Sequence, residues 1–247
     1  MEDIDPPREV AGSATRILQD LSRLGMNSDR PVLFQSTRAG AYDSAIKALL
    51  SEGKAFWCGC TRKDLPPSGI YPGTCRNGLA ANLSPRTVRL GVEGSTIRFS
   101  DLIQGEFEDK LDNTTGDFII QRADGLPAYQ LAVVVDDAFQ GITEVVRGFD
   151  LLDSTARQIH LQHALGLPIP VYAHHPLVRD GDGKKLGKRF ASDPIGKLSP
   201  ASSLRAALQF LGQNPPHKSG LKELWEWAMT HWRLETISPT DAESAIM

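Results

Sequence analysis

Cysteine is scarce, aromatics are few and positive charge is not in excess, and each shortage removes a class of protein. Three cysteines among 247 residues cannot build a disulfide framework. No run of 18 apolar residues occurs, so no segment reads as a membrane-spanning helix. The first residues, Met-Glu-Asp-Ile-Asp, are acidic where a signal or transit peptide is basic, which gives the cytoplasm as the expected location and no membrane partner. Lys plus Arg number 27 against 30 for Asp plus Glu, a formal net charge of −3 that excludes the global basic field of a non-specific nucleic-acid binder. A nucleic-acid partner would have to be met by a local patch. Internal repeats are absent as well. What remains, with 40% hydrophobic and 23% charged residues, is a chain long enough to bury a sizeable core.

Hydrophobic spacing alternates between helix and strand along most of the chain. Ile17, Leu18, Leu21 and Leu24 predict an amphipathic helix before Gly25. Pro31 to Phe34 predicts a strand, and Tyr42, Ala45, Ile46, Leu49 and Leu50 a second helix that stops at Gly53. Short β-like stretches follow at 87–92, 96–99, 106–111 and 117–121, separated by Gly, Asp and Asn. Tyr129 to Val135 fits helix or strand, Ile142 to Val146 a strand, and Asp153 or Ser154 can cap a helix ending at Leu165-Gly166. Val171 to Val178 reads as a further strand, Ser199-Pro200 opens a helix, and Leu221 to Trp232 marks another. This order favours an α/β core with a parallel sheet.

Three constellations could carry chemistry. All the cysteines, Cys58, Cys60 and Cys75, fall in one segment whose Pro66-Pro67, Gly69 and Pro72-Gly73 forbid regular structure. Three thiols in one short loop suit a tetrahedral metal such as zinc. The first histidine is His160, so Tyr71, Asp64 or water would complete the shell; three buried thiols acting as small hydrophobes are the alternative. Next, His174-His175-Pro176-Leu177-Val178 leads through Gly181-Asp182-Gly183 to Lys184-Lys185-Leu186-Gly187-Lys188-Arg189, a cationic loop suited to a polyphosphate or else a solvated charge run. Finally, Tyr129, Arg147 and Asp150 group around a strand end, where α/β sheets bind ligands; Arg147 there can meet a carboxylate, or pair with Asp136 or Asp137.

Four blocks in order resemble one family: Glu2-Asp3-Ile4-Asp5-Pro6-Pro7-Arg8; Cys58-Gly59-Cys60 with Tyr71-Pro72-Gly73-Thr74-Cys75; Asp117 to Asp153; and His175-Pro176-Leu177-Val178 with Lys185-Leu186-Gly187-Lys188-Arg189. From Glu2 to about Gly212 the chain is similar to the glutamyl-Q tRNA(Asp) synthetases, short paralogues of glutamyl-tRNA synthetase. The resemblance implies an α/β fold, a Rossmann-like class I aminoacyl-tRNA synthetase core with a zinc-bearing insertion and a C-terminal helical segment. It divides the chain into the remainder of a first Rossmann half (1–53), a zinc-binding insertion (54–85), a β-rich connective insertion (86–125), a second Rossmann half with the lysine signature loop (126–190) and a helical segment (191–247).

The resemblance also implies roles. Cys58, Cys60, Tyr71 and Cys75 would hold zinc; Glu2, Tyr129 and Arg147 would bind glutamate; Lys185 and Lys188 would meet ATP, supplied with magnesium, Lys188 being catalytic. The implied reaction forms glutamyl adenylate and passes glutamate to the queuosine base in the anticodon of tRNA(Asp), by a monomer. The chain starts inside the Glu2 block, whereas family members carry an H-I-G-H-like signature upstream of it, and Gly187 stands where serine is common. It ends about sixty residues after Lys188, too few for a separate anticodon-binding domain. The competing expectations are a glutamyl-tRNA synthetase fragment charging tRNA(Glu), and a catalytically silent zinc- or RNA-binding module.

Overall fold

The computed structural model describes residues 1–5, 9–179 and 198–239. Helix α1 (Ser13–Arg23) comes first, and helix α2 (Ala39–Ser51) buries Tyr42, Ile46 and Leu49, the four- and three-residue steps of one helical face. Strands β1 (Ala55–Cys58), β2 (Thr87–Leu90), β3 (Thr96–Asp101) and β4 (Gly105–Lys110) follow, then a single turn α3 (Leu111–Thr114) and strand β5 (Phe118–Gln121). The remainder alternates: α4 (Tyr129–Gln140), β6 (Glu144–Gly148), α5 (Leu152–Leu165), β7 (Val171–His175), α6 (Pro200–Phe210) and α7 (Leu221–His231).

Two sheets result. One is antiparallel with order β1-β2-β5; the other has order β4-β3-β7-β6, in which β7 runs parallel to both β3 and β6. The β6-α5-β7 crossover supplies the parallel pair, as alternating strand and helix requires. A single apolar cluster joins both sheets to α2, α4 and α5, through Leu49, Leu90, Ile97, Ile120, Leu131, Ile159 and Tyr172 among others. Tyr129 to Val135, open to either reading by periodicity, is helical because Leu131, Ala132 and Val134 all reach that cluster.

Two local expectations are corrected. Pro31 to Phe34 is not a strand: Pro31 has no N–H to donate, and the segment instead runs beside Met1, whose amino group donates to the Leu33 carbonyl and whose carbonyl accepts from Gln35. Helix α5 has no side-chain cap from Asp153 or Ser154, because a 3-10 turn at Phe149–Leu151 leads directly into it. Helix α1 is amphipathic, yet buries no residue; Ile17 and Leu21 stay exposed beside a groove that Met1, Met26 and Val32 also line. At the other end the expected helices form, with Ser199 accepting from the Ser202 N–H, and Trp225 of α7 donates to the Leu24 carbonyl at 2.8 Å.

Candidate active site and metal centre

The carboxyl ends of β6 and β7 carry the polar centre of the molecule. Arg147 and His174 are register partners on these parallel strands, so their side chains leave the sheet on one face. Arg147 Nε donates to His174 Nε2 at 2.9 Å, and Nη2 donates to Thr155 Oγ1 at 2.8 Å and to the Leu151 carbonyl at 3.3 Å. His174 is wholly buried, and its Nδ1 lies 2.6 Å from Oδ2 of the equally buried Asp101. Asp101 Oδ1 also accepts from the backbone N–H groups of Ile103, Gln104 and His174.

Burial alone would push the Asp101 carboxyl up, but these hydrogen bonds hold it below the usual carboxylate range. For His174, burial lowers the pKa, Asp101 opposes that and Arg147 reinforces it, with a net depression. The imidazole is therefore neutral at pH 7. Tyr129 opens α4 nearby, its phenol raised first by burial, with Arg147 opposing and Glu2 reinforcing. Asp137, one position beyond Asp136 on the same helix, is pushed up to about 6 by burial, partly offset by Arg147 and aided by the charges of Asp136 and Glu2. Glu2, Tyr129 and Arg147 thus share one electrostatic neighbourhood. Asp136 turns the other way, accepting from Arg38 at 3.0 Å and Tyr42 at 2.7 Å, so it is not the partner of Arg147.

The cysteine module forms a second buried cluster, of Cys58, Cys60, Tyr71 and Cys75, with Phe56, Leu65, Leu79 and Leu83 around it. The three sulfurs lie within 4.8 Å of one another and could hold a metal ion. Cys60 and Cys75 are 3.6 Å apart, against the edge of about 3.8 Å that four bonds of about 2.3 Å would give around tetrahedral zinc. The Tyr71 hydroxyl sits 3.4 Å from Cys58 Sγ and 4.0 Å from Cys60 Sγ. Asp64, the other candidate for the fourth place, is engaged in a capping box with Thr61.

Charge supports the fit. Burial raises the Cys58 thiol, but hydrogen bonds from Tyr71, the Cys60 backbone and Arg89 bring it down to about 7. Cys60 is pushed up to about 11 by burial, Cys75 and the Cys58 charge. One thiolate forms readily and opposes the next, so a full set calls for a cation. Gly116 seals the module: at φ +64 its ideal Cβ position is 2.3 Å from the Tyr71 carbonyl oxygen, so only glycine fits there.

Between this module, β2, β5 and the starts of α4 and α5 lies a groove of roughly 770 Å³. Arg62, Arg86, Arg89, Arg122 and Arg157 line it, with Asp117 and Asp124. Arg89 stacks on the Tyr71 ring at 3.9 Å and Arg122 pairs with Asp5 and Asp124. Gln130 Oε1 and Arg157 Nε are buried with no hydrogen-bond partner among the described residues. Sequence reasoning missed this patch because its arginines are scattered over ninety-odd positions and form no run. Lys185 and Lys188 lie outside the described residues. Among the described residues, no helix is long and apolar enough to cross a membrane.

Comparison with known proteins agrees with this geometry. Residues 1–67 and 75–208 match the family of class I tRNA synthetases (E and Q), catalytic domain. A glutamyl-Q tRNA(Asp) synthetase of Aromatoleum aromaticum is 49% identical over 96% of this chain and 78% of its own length. One from Pseudomonas aeruginosa is 48% identical over 94% and 80%. Among solved structures, glutamate-tRNA synthetase from Elizabethkingia anophelis superposes with a TM-score of 0.77 at 24% identity. That match takes in 99% of this chain, which spans 60% of the Elizabethkingia protein, and it speaks to the fold alone.

Proposed function

The chain belongs to the class I E and Q tRNA synthetases, among the glutamyl-Q tRNA(Asp) synthetases, which are ligases of the aminoacyl-tRNA synthetase kind; on that premise we propose that it activates glutamate with ATP and transfers it to the queuosine base of tRNA(Asp). The observation that carries the reading is Arg147, held on its Nε and Nη2 sides by His174, Leu151 and Thr155 and set against the Tyr129 hydroxyl. An arginine so fixed suits a carboxylate. The α-carboxylate of glutamate must attack the α-phosphorus of ATP, expelling pyrophosphate, so Arg147 is assigned the side-chain carboxylate. Glu2 and Asp137 supply the negative field for the ammonium group.

Lys185 and Lys188 are assigned to the ATP phosphates, where cations offset charge developing on the leaving pyrophosphate. A queuosine hydroxyl then attacks the adenylate carbonyl and AMP leaves. The arginine-lined groove supports an RNA strand beside this centre, since phosphate contacts need positive charge that the chain as a whole lacks. Zinc held by Cys58, Cys60, Cys75 and Tyr71 would crosslink a module whose own apolar cluster is small. This reading puts the protein in the cytoplasm, with its tRNA.

Labelled glutamate, ATP and tRNA(Asp) with or without queuosine test it. Label is expected only in the queuosine-containing tRNA, together with glutamate-dependent ATP-pyrophosphate exchange. Equal labelling of both tRNAs, or labelling of tRNA(Glu), refutes the assignment. Lys188→Ala is expected to depress exchange without changing metal content.

A further inference from the structure

Arginine only donates hydrogen bonds and a carboxylate only accepts them, so a histidine placed between the two has no choice of tautomer. Asp101 Oδ2 must receive the proton on His174 Nδ1, across 2.6 Å, which leaves Nε2 bare to accept from Arg147 Nε across 2.9 Å. The order of the strands builds this line. β7 lies between β3 and β6: Arg147 on β6 is the register partner of His174 on β7, and Asp101, at the end of β3 opposite Tyr172, reaches His174 two residues further along the same face. The His174 backbone N–H also bonds Asp101, and the Gln104 side chain holds the His174 carbonyl, so the imidazole is fixed from both its main chain and its ring. The Tyr172 ring stacks 6.2 Å from it at 15°.

We propose that Asp101 and His174 are positioning residues, locking one imidazole tautomer so that the Arg147 guanidinium is aimed, beside Tyr129, at the substrate's side-chain carboxylate. The proposal rests on the assignment of Arg147 to glutamate. A reversed imidazole, protonated on Nε2, would set a donor against a donor and turn Arg147 away. Asp101→Asn brings about that reversal with little change of shape: the amide oxygen can keep the three backbone N–H groups, while its NH2 faces Nδ1 and forces that atom to accept.

Two measurements on the full chain test it. Nitrogen-proton spectra of the imidazole and of the Arg147 Nε–H read the lock directly. Native protein is expected to show His174 protonated on Nδ1; Asp101→Asn should move the proton to Nε2 and shift the Arg147 Nε–H resonance. In ATP-pyrophosphate exchange, the glutamate KM of Asp101→Asn should rise about tenfold or more, the worth of a hydrogen bond to a charged group, with kcat and the KM for ATP within about twofold. His174→Gln, whose amide oxygen can still accept from Arg147, should recover most of the glutamate KM.

An Nε2-protonated native histidine, an unmoved Arg147 resonance in Asp101→Asn, or an unchanged glutamate KM overturns the proposal. If Asp101→Asn does not fold, the native tautomer and His174→Gln still decide it. Spectra that behave as expected, with no glutamate-dependent exchange in the native protein, would defeat the assigned reaction and leave the lock on Arg147 supported.

Discussion

Asp117 is the strut between the cysteine module and the sheets, and replacing it with asparagine isolates that role. Its buried carboxylate accepts from Arg76 Nε at 3.0 Å and Nη2 at 2.8 Å and from the Val92 N–H at 3.0 Å, while its carbonyl accepts from Arg89 at 2.7 Å. Stranding one member of a buried ion pair costs about 3–5 kcal/mol. Here the charge left behind is eased: Arg76 is 26% exposed and keeps Glu93 at 3.0 Å, and asparagine retains one oxygen. We therefore expect Asp117→Asn to cost about 2–3 kcal/mol, at or below the bottom of that range. For a chain of this length that is a fall of about 5–10 °C in Tm. Urea unfolding followed by circular dichroism measures it, in zinc-loaded and chelated protein. Because Arg76 adjoins Cys75, zinc affinity should fall as well. Glu93→Gln, which removes only the exposed partner, should stay within about 0.5 kcal/mol of the parent. An Asp117→Asn loss no larger than that control would refute the reasoning.

Further outcomes are expected. Cys75→Ala should remove most bound zinc, read by metal analysis after dialysis, and lower Tm; full zinc retention would exclude Cys75 as a ligand. Asp137→Asn should stabilise the protein above pH 6: the folded-state pKa of about 6 lies above the ordinary 3.8, so stability present at low pH is lost as pH rises through that value. The full difference is worth about 3 kcal/mol, and partial exposure reduces the expected gain at pH 7 to about 1–2 kcal/mol, vanishing by pH 4; a pH-independent effect in urea titrations counts against it. Replacing Arg62 and Arg86 together by alanine should weaken tRNA binding and flatten its salt dependence by about two charges while leaving ATP-pyrophosphate exchange intact; an unaltered slope takes these two arginines out of the RNA path.

The cysteine cluster was legible because its members lie within eighteen positions of one another and proline and glycine exclude other structure there. Most of the α/β alternation was legible in the same local way, from the spacing within each element, while Tyr129 to Val135 left helix and strand open. Arg147 stood out by its place at a strand end. Its supports did not: Asp101 is 73 positions from His174 and looks in sequence like any turn aspartate, and Thr155 is an ordinary residue of a helix. Their roles arise from strand order, which local patterns do not encode. Pro31 to Phe34 misled because a short apolar run reads alike whether or not a partner strand lies beside it.

The line from Asp101 to Arg147 has a bearing on how such a protein can change over generations. The three residues are far apart along the polymer but adjacent across the β ladder, so lengthening a connection such as the one between β4 and β5 need not disturb their spacing. Outer loops can therefore be enlarged, trimmed or exchanged while the arrangement that holds Arg147 stays as it was.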